Sequence, residues 1–143
     1  MMNSENRELS AAEYFLQVQK EYLIAQFRSK IYFNPKDKRY WKRVMSFKAE
    51  KIEQIANRNR LHSILNSEDK MKEFNARLFD ENGKPKFELT PEDVRNYYTA
   101  GNEFSYNGEI YVLDSVTSDG KLQLFSKERG EIWADKSQVC RII

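Results

Sequence analysis

The segment Asn34-Pro35-Lys36-Asp37-Lys38-Arg39-Tyr40-Trp41-Lys42-Arg43 decides how the first half of the chain folds. Asn34 can accept a hydrogen bond from an orphan amide of a new helix. Pro35 suits the first helical position, where its missing N–H costs nothing, and Asp37 follows in the first turn. A helix therefore starts here. Its apolar stripe is Trp41, Val44, Met45, Ile52, Ile55 and Ala56, with Tyr40 and Phe47 on the flank, and it runs to about Arg58. Trp41 is expected to be largely buried.

Upstream, Ser10-Ala11-Ala12-Glu13 reads as a capping box, so a helix is expected from Ser10 to about residue 30. Ala11, Phe15, Val18, Tyr22 and Ala25 recur at alternating spacings of four and three, and Leu16, Leu23 and Phe27 widen the stripe. Two adjacent helices of this length predict an antiparallel helical hairpin. Residues 1–9 read as a polar tail, one that a partner would have to order.

Downstream, Ser67 caps a helix over Glu68 to Arg77. Leu78-Phe79 and Lys86-Phe87-Glu88-Leu89, around Asp80-Glu81-Asn82-Gly83, read as a β-hairpin. Thr90-Pro91-Glu92-Asp93 opens another short helix that ends near Ala100-Gly101. All five glycines lie after residue 82, so the tight turns belong to the second half. Strands are expected at Glu103 to Tyr106, Glu109 to Val116, Lys121 to Ser126, Glu131 to Ala134 and Val139 to Ile142. Asn107-Gly108 and Asp119-Gly120 supply hairpin turns, and Gly130 marks a third. The expected class is α+β: a helical region over 10–78, a hairpin and short helix over 79–100, and a small five-stranded SH3-like or OB-like barrel over 101–143. That likeness is one of architecture and carries no function.

The formal charge of the 143-residue chain is +2, but it is unevenly spread. From Lys20 to Arg60, twelve basic residues face four acidic ones, a net of +8, while residues 1–19, 61–100 and 101–143 each come to −2. Lys30, Lys36, Lys38, Arg39, Lys42 and Arg43 cluster at the turn between the two long helices, interleaved with Tyr32, Phe33, Tyr40 and Trp41. Cations neutralise phosphates and planar rings stack on bases. Lys36, Lys38 and Arg39 also oppose the dipole of the helix they open, a term that a bound anion would reverse. The same residues can be read as solvated surface, as a contact for an acidic protein surface, or as partners of Glu50 and Glu53.

The chemistry of catalysis is sparse. One histidine, His62, and one cysteine, Cys140, are too few for a zinc site, and they make a nucleophilic pair only if the fold joins them. No nucleophile elbow or glycine-rich phosphate loop is present. Glu68-Asp69-Lys70 has a spacing some metal nucleases use, but acids are also favoured at the start of a helix. The expectation is a non-enzymatic binding module for nucleic acid or another anionic surface, with no cofactor. The alternative is a structural subunit, a homo-oligomer or part of a larger assembly such as a bacteriophage connector or ring. The N-terminus lacks signal-peptide blocks and no run is long and apolar enough for a membrane span, so the expected setting is cytoplasmic, or the host cytoplasm or virion if the protein is viral. If folding needs no metal, a chelator leaves the melting temperature unchanged; a fall would mean a metal is part of the fold.

Overall fold

Helix α1 spans Ser4–Ile31 and α2 spans Pro35–Asn59. The computed structural model describes residues 4–61 and 67–143, with side chains described from Ala12 onward in α1. The chain divides into two units, Met1–Leu78 and Phe79–Ile143. Helix α1 begins six residues before Ser10, so Ser10 lies inside it and does not cap it. No glycine or proline in Ser4-Glu5-Asn6-Arg7-Glu8-Leu9 breaks a helix. The Ser-x-x-Glu pattern therefore marks no boundary here, and the tail expected over 1–9 is helical from Ser4 on.

The two long helices pack against each other around Phe15, Val18, Ile52, Ile55 and Ala56, all buried, with Leu16, Tyr22, Leu61 and Phe74 against them. Alternating four-three spacing on α1 keeps its stripe aimed at one neighbour, as in a coiled-coil seam. Beside the seam, Lys48 donates to the Glu21 carboxylate and holds it below the usual carboxylate range. Helix α2 ends where Arg60 turns left-handed, at φ 55°; the N–H groups of Arg60 and Leu61 both reach the Ala56 carbonyl. This closes the orphan carbonyls of the last turn, and Leu61 returns to the core. Helix α3, Glu68–Leu78, starts on Ser67, whose hydroxyl accepts from the Lys70 N–H at 3.3 Å.

At its start the second unit departs from the sequence expectation. In place of a hairpin over 78–89 there is a single bridge between Phe79 and Pro85. Leu78 already belongs to α3, and a proline cannot donate to a ladder. The turn itself forms: the Asp80 carboxylate accepts the N–H groups of Asn82 at 2.9 Å and Lys84 at 2.8 Å. Helix α4, Pro91–Tyr97, has the full capping box between Thr90 and Asp93. It stops short of Ala100, with Tyr98 leaving the helical region.

Strands β1 (Glu103–Tyr106), β2 (Glu109–Val116), β3 (Leu122–Ser126), β4 (Gly130–Ala134) and β5 (Cys140–Arg141) form one antiparallel sheet in the order β4-β3-β2-β1-β5. All five expected strands are present, but they do not close into a barrel. Residues Lys136–Gln138 form a 3-10 turn, and β5 has only two residues, Cys140 and Arg141, both paired with β1. Asn107 and Gly108, with φ of 50° and 79°, make the tight turn joining β1 to β2. Alternation puts Phe104, Tyr111, Leu113, Leu122 and Leu124 on the buried face. A register shift between Leu113 and Ser115 makes Asp114 a bulge residue.

The hairpin seam sets the stability of the first unit. Phe15→Ala should destabilise it by about 3–5 kcal/mol in a urea melt, the cost of emptying a fully buried aromatic site. A change under about 1 kcal/mol would place Phe15 outside the core.

Candidate nucleic-acid interface

Three residues, Tyr32, Phe33 and Asn34, reverse the chain between α1 and α2. The Asn34 side chain accepts from the Lys36 N–H at 2.9 Å and its carbonyl accepts from the Lys38 N–H at 2.9 Å, which starts α2 as the sequence predicts. Tyr32 turns inward and is buried, whereas Phe33 is 64% exposed. So short a connection forces the two helices antiparallel. It also sets the last turn of α1 beside the first turn of α2.

That juxtaposition gives Lys38 a structural task. Its ammonium donates to the Ser29 carbonyl at 3.0 Å, so it caps the C-terminal end of α1. The dipole penalty it carries at the start of α2 is offset by the negative end of α1. Lys38 is therefore set apart from the other five cations. Lys30, Lys36, Arg39, Lys42 and Arg43 are exposed, and among the described residues none has an ion-pair partner. Glu50 and Glu53 do not neutralise the arginines. At helical geometry Lys36, Arg39, Lys42 and Arg43 occupy about a third of the circumference of α2, so they form one basic strip.

An aromatic strip runs alongside. Tyr40 is 56% exposed and Phe47, two turns on, is 60% exposed. Lys51 Nζ lies 5.9 Å from the Phe47 ring and 5.2 Å from the Tyr14 ring, within cation–π range. The sequence pattern grouped Tyr40 with the core flank, but the structure turns it to solvent. Trp41 is also less enclosed than its stripe predicts, being half-buried. Its ring meets Tyr32 edge-on at 6.0 Å and Tyr40 edge-on at 5.0 Å, with the Arg28 guanidinium 4.6 Å from its centre. Trp41 thus packs on the end of α1 and the turn after it, through Arg28 and Tyr32, and keeps part of its ring open. The seven-residue interval between Tyr40 and Phe47 was the signal for the aromatic strip.

The remaining candidates offer little reactive chemistry. Cys140 Sγ donates to the Asn82 carbonyl at 3.1 Å, and burial pushes its thiol upward. Burial likewise raises Tyr97, whose hydroxyl accepts the Arg141 N–H at 2.8 Å, and pushes Tyr98 up to about 12. All three therefore stay protonated near neutral pH. His62 lies outside the described residues. Among the described residues no group of three or more His, Cys, Asp or Glu is placed to hold a metal, and no helix is long and apolar enough to cross a membrane. No family model, curated protein or solved structure matches this chain.

The division of labour among the cations is testable by stability. Lys38→Gln should cost about 0.5–1 kcal/mol, through loss of a charged helix cap. Arg39→Gln should cost nothing. Equal costs in a thermal melt would contradict the cap.

Proposed function

We propose that this protein is a non-catalytic binding module that holds nucleic acid at the tip of its helical hairpin. The observation that carries this reading is the pair of parallel strips on α2. Four cations without ion-pair partners stand beside exposed Tyr40 and Phe47, with Lys30 and Phe33 at the turn. Lys30, Lys36, Arg39, Lys42 and Arg43 take the phosphates, while Phe33, Tyr40 and Phe47 offer faces for unpaired bases. Exposed rings among cations suit a single strand, which offers base faces to stack on as well as phosphates to neutralise. The protonated Cys140 and the single histidine fit a protein that binds without catalysing. Lys38 makes at most a secondary contact, since it is engaged on Ser29.

Binding to a single-stranded oligonucleotide should weaken steeply with salt, because each neutralised phosphate releases counterions. Arg39→Gln with Arg43→Gln should lower affinity alike for all sequences and flatten the salt slope by about two units. The melting temperature should stay level or rise slightly, since a repulsive dipole term is removed. Undiminished binding by the double variant in a gel-shift titration would refute the assignment.

A further inference from the structure

The outer face of the sheet carries apolar side chains of a size rarely left to solvent. Across four strands, Glu103, Val112, Phe125 and Glu131 are successive cross-strand partners, so their side chains share one face in a single row. The next row is Ser115, Gln123 and Trp133. Ile110 stands two residues from Val112 and therefore on the same face. Ile110, Val112, Phe125 and Trp133 are all exposed, Trp133 by 54%. Gln123 is locked in place: it accepts from Ser115 Oγ at 2.8 Å and donates to Glu131. A fixed polar residue among exposed apolar ones makes a firm surface. Patches of this kind, with an aromatic centre, mark interaction sites.

The charge of the face limits what can cover it. Glu103 and Glu131 end the apolar row and Asp114 stands at the bulge beside it. All three are exposed and have no ion-pair partner among the described residues. Arg129, next to the sheet, is already committed to Glu109 at 2.8 Å. Two identical sheet faces would bring carboxylates against carboxylates. A basic surface bearing aromatic rings would complement both the rim and the centre, and α2 bears such a surface.

We infer that the outer face of the sheet is the docking site for the basic hairpin end of a second copy of this chain. The inference rests on the reading of that end as an exposed anion-seeking surface, and it adds a second occupant. Arg39, Lys42 and Arg43 meet Glu103, Asp114 and Glu131, while Tyr40 and Phe47 cover Val112, Phe125 and Trp133. Two different patches are used, so the contact is heterologous: successive copies extend into an open chain or close into a ring. Nucleic acid and the sheet compete for one basic strip, so each weakens the other.

Sedimentation of the full chain tests this. The parent should show a mass above the 17.1 kDa of one chain, rising with concentration or fixed at a ring multiple, and falling with salt. Phe125→Ser should abolish assembly. So should Glu103→Lys with Glu131→Lys, a second sheet variant that leaves the apolar row intact. Arg39→Glu with Arg43→Glu should do the same from the other side. Mixing either sheet variant with the tip variant should restore a complex of two chains, because each then supplies one intact surface. A parent that stays at one chain's mass overturns the proposal. So does a tip variant that still assembles, or a mixture of the folded sheet and tip variants that yields no dimer. Assembly rescued by mixing supports the docking even where oligonucleotide binding fails. Oligonucleotide binding by a permanently monomeric parent upholds the nucleic-acid reading and overturns this one.

Discussion

The packing of α1 on α2 is the constraint from which the rest of the first unit follows. Phe15 and Val18 on one helix, and Ile52, Ile55 and Ala56 on the other, hold the pair antiparallel. Each helix end therefore lies beside its neighbour's opposite end. That makes the Lys38 cap possible, since a cation four residues after Asn34 can reach a carbonyl in the last turn of α1. The same packing consumes one face of α2 and leaves the opposite face, over its first turns, as a basic strip. Charge that would be diffuse along an isolated helix is gathered on one side because the other side is buried.

The basic strip stands in a local excess of +8 from Lys20 to Arg60, while the segment from residue 101 carries −2. Cations at the start of α2 work against its dipole by a few tenths to about 1 kcal/mol each. Lys38 recovers that cost through Ser29; Lys36 and Arg39 have no comparable partner among the described residues. A bound anion would turn their unfavourable placement into a favourable one, whether that anion is a phosphate or a carboxylate on another copy. The two functional readings thus draw on one electrostatic fact and differ in the partner.

Local signals in the sequence predicted local structure well. Asn34-Pro35, Ser67 and Thr90-Pro91 each start a helix as expected, because capping is decided within four residues. The glycine turns fixed the hairpins of the sheet for the same reason. Ser10 misled because a capping pattern is only a start if the residues before it are not already helical. Failures elsewhere were failures of tertiary context. Closure of the sheet depends on its two edge strands meeting, and β4 and β5 stay at opposite edges. The exposure of Tyr40 and the half-burial of Trp41 depend on the neighbours each ring meets in the folded hairpin, which helical period does not specify. Of the six cations singled out, five remain in the candidate site and Lys38 moves to a structural role. The bond that moves it joins residues nine apart and exists only once the hairpin has formed.

The most direct test is an amide-resolved NMR titration of the full chain with a short single-stranded oligonucleotide. Amides from Lys30 to Arg43, and of Phe47, should move with increasing ligand, and those of Val112, Phe125 and Trp133 should stay in place in a sample dilute enough to hold single chains. Shifts confined to the sheet, or no shifts at low salt, would contradict the account.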